Sequence, residues 1–486
     1  MRNAISHLVS HLGTNSATIK LDSGAWISIT SDEVVHRLVF LLVYSCIRST
    51  TSDESKCSTE YRDACTLNTF TIGNDSWIDQ LQTVTSIGKP KTTIIKRCLL
   101  TDPVAVQNVM ELASKLFTEL SVQSYHEQAL SLTPRLAIET LELLSAPPLK
   151  RLTILPNPHL RSLYIVNSAV RHIPETIVNL SNLQFLGIEK SFLRLLDLSV
   201  LCYLPRLTTL QVLRNHISLL LPVHESSCVS SLRDLHLDYN QLTTLDIAVL
   251  APFTALQRLL LQHNRMHSLF ASQPTSFPLL QELQLGPGNN FTWIEFEQLN
   301  LPETLTANLP GNQFQQLPTI RSANLPNLQR IYLDGNQLST IDLAQLQEHQ
   351  QLNGVDFSRN RLHTVTASEL THLPNLTSIE LVDNMLESFS LANCTFPQLN
   401  YLYLKGNRLQ FVPAEVYTSE LSPTFMLNLE KNPLRCASVQ RYSNLISITT
   451  INPPLIVTIA RKCATMNYNG SMSLNKWNSA CCINAP

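Results

Sequence analysis

Leu232-Arg-Asp-Leu-His-Leu-Asp-Tyr-Asn240-Gln-Leu242 recurs, with its apolar and Asn positions kept, as Leu328-Gln-Arg-Ile-Tyr-Leu-Asp-Gly-Asn336-Gln-Leu338 and as Leu399-Asn-Tyr-Leu-Tyr-Leu-Lys-Gly-Asn407-Arg-Leu409. Written as L-x-x-L-x-L-x-x-N-x-L, the pattern has first positions at Ile138, Leu160, Leu183, Leu207, Leu232, Leu256, Leu280, Thr304, Leu328, Leu352, Leu376, Leu399 and Thr424. These lie 22 to 25 residues apart and make thirteen units. A register kept for so long is not accidental, and each unit is too small to bury its apolar side alone, so the units must stack.

The spacing predicts the local structure. In L-x-L both Leu side chains point to one face of a short strand and the residue between them points to the other. One strand per unit, stacked in parallel, gives an α/β leucine-rich repeat solenoid, a horseshoe with the strands on its concave face and loops or short helical turns on the convex side. The Asn after each strand can offer its amide to backbone groups where the chain turns. Asn215, Asn240, Asn264, Asn312, Asn336, Asn360, Asn384, Asn407 and Asn432 form this ladder; Ala146, Ser168 and Ser191 replace it in the early units, and Gly286-Pro-Gly-Asn289 inserts one residue, where a local bulge is expected.

Working outward from the repeat, composition agrees. The 486 residues include 84 Leu but only 12 Gly, where an average chain of this length would hold about 34 Gly. Leu is a positional requirement, and the turns are expected to use Asn in place of Gly. Nucleotide sites of the Rossmann or P-loop kind need several Gly at fixed offsets, and neither motif is present. With 35 basic against 37 acidic residues and a net charge of -2, no global field favours nucleic acid or an anionic membrane. H-E-x-x-H, G-x-S-x-G and EF-hand patterns are also absent. No catalytic residue, metal ligand or cofactor is assigned, and an enzyme is not expected.

The flanks of the array read differently. Arg37 precedes the apolar run Leu38-Val-Phe-Leu-Leu-Val-Tyr-Ser-Cys-Ile47, which suits a signal peptide and is too short to span a membrane. Residues 1–50 are therefore a leader, 51–137 an N-terminal cap region, 138–435 the repeat array and 436–486 a cysteine-rich C-terminal cap. Cys57 and Cys65 suit a closed N-terminal loop. Cys202 and Cys228 precede the first positions of adjacent units by five and four residues, so stacking should bring them within bridging distance. Cys436, Cys463 and the adjacent Cys481 and Cys482 read as a disulfide-bonded cover for the last unit, while Cys98 and Cys394 have no evident partner. No C-x-x-C pair suggests zinc. Six N-x-[ST] triplets, at Asn74, Asn179, Asn290, Asn375, Asn393 and Asn469, are glycosylation candidates that agree with secretion.

Function then falls to the outward positions. Asp234, His236, Asp238 and Tyr239 form one candidate protein-binding group, and Arg330, Tyr332, Tyr401 and Tyr403 a second, since Tyr and Arg are favoured at interface hot spots. Thirteen strands about 4.8 Å apart make a face on the order of 60 Å long, wide enough for a protein.

Cys57 and Cys65 after a signal, a weakly patterned lead-in, and Cys436, Cys463 and Cys481-Cys482 after the array together resemble the mosquito leucine-rich repeat immune proteins, secreted haemolymph factors. The resemblance covers Cys57 to Cys482. It implies innate immunity, with complement-like thioester-containing proteins, pathogen surfaces or another leucine-rich repeat protein as partners. Only four residues follow Cys482, so the chain looks like the coil-less branch of that family or a truncated member of it, and pairing and thioester-protein binding have no assigned residues. The competing expectation is an extracellular adhesive or receptor-derived leucine-rich repeat module outside immunity.

Overall fold

In a computed structural model of the chain, Asp234–His236 is a three-residue strand whose central Leu235 is buried while its two neighbours face outward. The structure describes residues 118–223, 228–413 and 425–441, with Met110, Ser114 and the backbone of several short strands outside these ranges. It divides into two units, Met1–Phe192 with Leu204–Leu207, and Leu193–Tyr203 with Thr208–Pro486.

The second unit is a stack of turns built as the repeat dictates. Leu235, Leu259, Leu283, Ala307, Ile331, Val355, Ile379, Leu402 and Leu427 lie opposite one another in successive parallel strands. All are buried, as are the leucines on either side of them, such as Leu232 and Leu237. Each Leu, Ile or Val among them stabilises the stack by about 1.5–3 kcal/mol relative to exposure. The first unit repeats the scheme with Leu120, Leu141, Leu163 and Leu186 in register.

Parallel stacking in the first unit begins ahead of Ile138. Glu119–Val122 pairs with Thr140–Leu143, and Arg97–Leu100 pairs with Glu119–Val122. The earlier turn escaped the pattern because Val122 stands at a Leu position and Tyr125 at the Asn position. Tyr125 is fully buried, and its hydroxyl donates to the Ala129 carbonyl at 2.6 Å.

The side opposite the long sheets carries more strand and less helix than expected. Thr244–Asp246 pairs with Ser268–Phe270, and Thr340–Asp342 with Thr364–Thr366, each in parallel. Thr, Ile and Val in these runs favour extended backbone. Helical turns are short 3-10 segments such as Ile247–Leu250 and Leu343–Leu346. Asp246 and Asp342 cap them by accepting from Ala248 N and Ala344 N at 3.1 Å.

The Asn ladder holds the turns in place. Asn336 donates from Nδ2 to the carbonyls of Leu309, in the preceding turn, at 3.0 Å and Leu333, in its own turn, at 2.9 Å. Its Oδ1 accepts from Phe314 N at 3.1 Å. Asn289 belongs to the same ladder, donating to Leu261 and Leu285 carbonyls, both at 2.9 Å. It reaches four residues back where Asn336 reaches three, so the inserted residue is taken up between Leu285 and Asn289. In the first unit Ser168 and Ser191 do part of this work through a 2.7 Å contact between their hydroxyls.

The turns nonetheless need the conformation that favours glycine. The residue before each Ser or Asn of the ladder has φ between 47° and 85° from Asn167 to Lys431; Gly288, Gly311, Gly335 and Gly406 occupy four of these places, and eight are filled by other residues, among them Arg214, Tyr239, His263 and Arg359. The left-handed region disfavours an L-residue by roughly 1–2 kcal/mol. Low glycine content thus reflects tolerance of that strain, and Asn does not replace Gly but follows it.

Cys202 and Cys228 form a disulfide with Cα atoms 4.9 Å apart. Cys436 is also disulfide-bonded and begins the short helix Cys436–Arg441. The apolar run of the proposed leader and the side chains of Cys57, Cys65, Cys98, Cys463, Cys481 and Cys482 lie outside the described residues.

Beside Asn240, Asp238 is almost fully buried, and its Oδ1 accepts from Gln262 N at 3.2 Å. Burial pushes this carboxyl up to about 6, against the pull of the backbone N–H groups it accepts from. A raised acid favours the fold below the unfolded value of 3.8 and withdraws that support as pH rises through 6. Asp238→Asn keeps an acceptor for Gln262 and cannot ionise. Its melting temperature is expected to exceed that of the unsubstituted protein near neutral pH and to converge with it near the unfolded value; parallel shifts at both pH values would contradict this. Asn336→Ala strands the Leu309 and Leu333 carbonyls and Phe314 N–H, and should cost on the order of 1–3 kcal/mol, read as a lowered denaturation midpoint with an unchanged slope.

Candidate protein-binding face

Because side chains alternate along a strand, two residues per turn project outward, and the register stacks them into two columns. One runs Asp234, Arg258, Glu282, Thr306, Arg330, Gly354, Ser378, Tyr401; the other runs His236, Leu260, Gln284, Asn308, Tyr332, Asp356, Glu380, Tyr403. The eight candidate residues divide between two regions of this face and its edge.

The first region is occupied with itself. Asp234 is ion-paired with Arg258 of the next turn, Nε to Oδ1 at 2.5 Å, and accepts from Thr209 Oγ1 of the preceding turn at 3.2 Å. Burial works against its charge, yet Arg258, Thr209 and His236 outweigh that and hold the carboxyl below its ordinary value. His236 is half-buried between Gln211 and Leu260. Asp238 is buried against the Gln262 backbone of the next turn, as described above. Tyr239 alone is well exposed, at 43%. Its ring stacks on His263 of the next turn, centroids 4.2 Å apart, while the Arg214 guanidinium of the preceding turn lies 4.8 Å from its centroid.

The second region is more open. Arg330 donates to the Tyr332 hydroxyl at 3.1 Å and to Asn353 Oδ1 at 3.3 Å. Three strands on, the Tyr401 and Tyr403 rings lie nearly parallel with centroids 6.1 Å apart. Between the two pairs the columns hold Gly354 and Ser378 on one side and Asp356 and Glu380 on the other. The sequence ranked the Arg and Tyr residues above these because hot-spot propensity says nothing about the small residues that leave room between anchors.

Electrostatically this centre is acidic. Burial, then the Asp356 carboxylate, raises Asp334; burial, then Asp356 and Asp334, raises Glu380 against the pull of Arg330. Burial and the Glu380 charge likewise raise the Tyr403 phenol. A cation placed among these carboxylates would relieve their mutual repulsion.

Among the described residues no group of three His, Cys, Asp or Glu side chains could hold a metal ion, and no helix is long and apolar enough to cross a membrane. Asn290, Asn375 and Asn393 are exposed, while Asn179 is half-buried with its amide donating to the Ile154 carbonyl at 2.9 Å. Asn74 and Asn469 lie outside the described residues. Cys394, inside the triplet at Asn393, is a free thiol that burial, then Asp342, pushes up to about 11, so it is protonated and weakly nucleophilic at neutral pH.

Residues 205–266 and 326–386 match the family model described as Leucine rich repeat. No curated protein sequence matches significantly. Among solved structures, a leucine-rich repeat protein of Leptospira interrogans superposes with a TM-score of 0.55 at 21% identity, covering 80% of this chain and 93% of that one. The mosquito LRIM1/APL1C complex gives 0.49 at 19%, covering 75% and 64%, and the APL1 leucine-rich repeat domain 0.49 at 20%, covering 76% and 91%. At such identities the likeness concerns the fold. The repeated leucine register, the Asn ladder and the two matched segments identify the fold of this chain as a leucine-rich repeat solenoid.

Proposed function

We propose that the chain is a secreted protein-binding module of innate immunity that engages its partner through Arg330, Tyr332, Tyr401 and Tyr403. The observation that carries the binding reading is the placement of these residues as two pairs in the same two columns, three strands apart. At about 4.8 Å per strand the pairs are separated by roughly 14 Å, the span of a protein epitope rather than of a single small substrate. Gly354 and Ser378 leave space between the anchors, and Asp356 and Glu380 give that space a negative character suited to a basic side chain of the partner.

The immune role and the extracellular setting are supported by the sequence resemblance to the mosquito immune proteins, carried by the cysteines around the array and the N-terminal apolar run. A complement-like thioester-containing protein, a pathogen surface or another leucine-rich repeat protein is the partner class this implies. Glycosylation of the exposed triplets belongs to the same proposal.

The test is affinity purification of tagged full-length protein from haemolymph before and after bacterial challenge, beside a variant with alanine at all four anchors. Hot-spot truncations each cost about 2 kcal/mol or more, so the variant should lose its specific partner at least about a hundredfold while keeping its melting temperature. Undiminished capture by the variant would reject this surface; partners confined to matrix or adhesion proteins, unaffected by challenge, would reject the immune role.

A further inference from the structure

The left-handed position before the ladder Asn carries a side chain in most turns, and these side chains form a rim along the edge of the strand face. Arg214, Tyr239 and His263 are stacked along it. Then three consecutive turns place Gly288, Gly311 and Gly335 there, and the rim resumes at Arg359. Beside them lies a hollow of about 520 Å³ lined by Pro287, Asn308, Pro310, Tyr332, Asp334 and Arg359 with Gly311 and Gly335, a volume within the range of small-ligand sites.

The lining has a definite chemical character. Pro287, Pro310 and the glycine backbone give an apolar floor, and Tyr332 an aromatic wall. Asn308 offers a donor and an acceptor, Asp334 an acceptor and Arg359 a fork of donors. Within the lining itself one carboxylate and one guanidinium balance, and the neighbouring Asp356 carboxylate that raises Asp334 disfavours an anion. Among the described residues the guanidinium of exposed Arg359 enters no ion pair. A ligand matching these groups has one apolar face, several hydroxyls that both donate and accept, and no net charge.

We propose that this hollow binds a neutral saccharide unit, its apolar ring face against Tyr332 and the prolines and its hydroxyls on Asp334, Asn308 and Arg359. This site is independent of the protein-binding proposal, although Tyr332 borders both.

Saturation-transfer NMR on the full chain with cellobiose, N,N′-diacetylchitobiose, mannobiose and lactose tests it. At least one disaccharide should bind saturably. Gly335→Arg fills the hollow with a residue type that Arg214 and Arg359 already place in the same backbone conformation, and a Cβ there meets nothing closer than 3.5 Å. It should weaken binding at least about tenfold, and Asp334→Asn, which leaves the shape intact, should weaken it as well. Unchanged melting temperatures establish that both variants fold; should Gly335→Arg be destabilised, Asp334→Asn decides. Absence of binding by all four sugars overturns the proposal, as does binding indifferent to the substitutions. Loss of protein capture in Gly335→Arg without any sugar binding would assign the hollow to the protein interface and equally overturn it.

Discussion

A buried side-chain amide that satisfies three backbone groups is the contact on which the stacked turns depend. Asn336 ties the carbonyl of its own strand end to a carbonyl and an N–H of the preceding turn, and Asn240, Asn264, Asn360 and Asn384 repeat this geometry. Buried backbone groups left unpaired would be costly, and parallel strands of three residues supply few hydrogen bonds of their own. The amide also fixes the direction in which the chain leaves the strand. That direction requires a left-handed residue immediately before the Asn, and the strain at Tyr239, His263 or Arg359 persists because the ladder and the leucine layers on either side over-determine the backbone.

The periodic part of this arrangement was legible because each role demands one residue type. Only a medium apolar side chain fills the interior, and Asn supplies donors and acceptor together. Legibility fails where another group performs the same task. Tyr125 reaches a carbonyl with a hydroxyl, Ser168 and Ser191 share a hydrogen bond, and none of them reads as Asn. Asp246 and Asp342 had a signal, since Thr-Leu-Asp-Ile-Ala and Thr-Ile-Asp-Leu-Ala stand exactly four units apart, but capping there became visible only with the 3-10 turns in view. Of the candidate site residues, sequence alone could tell outward from inward for those within strands. It could not tell that Asp234 is engaged by Arg258, nor that Asp238, one residue past the strand leucines, is buried against Gln262 N.

The division of labour within a turn explains why outward residues can differ from one turn to the next. Interior positions are constrained by their neighbours above and below, whereas outward positions touch mainly one another and the strand edge, as Arg330 touches Tyr332 and Asn353. Arg330 beside Tyr332, and Tyr401 beside Tyr403, therefore sit on a frame that takes no account of them. The acidic centre between the pairs is a local field on a chain whose overall charge is close to neutral, so it can orient a partner without attracting polyanions or polycations at large.

The disulfide between Cys202 and Cys228 closes a loop of 26 residues and stabilises the fold by roughly 3.5 kcal/mol in the chain-entropy account. Its placement has a second effect. The 26-residue separation covers one whole repeat, so a protease that cleaves anywhere inside the loop produces two fragments that remain covalently joined. The cleaved protein would migrate as a single species until reduced, and the turns on either side would keep their stacked register after the backbone itself had been severed.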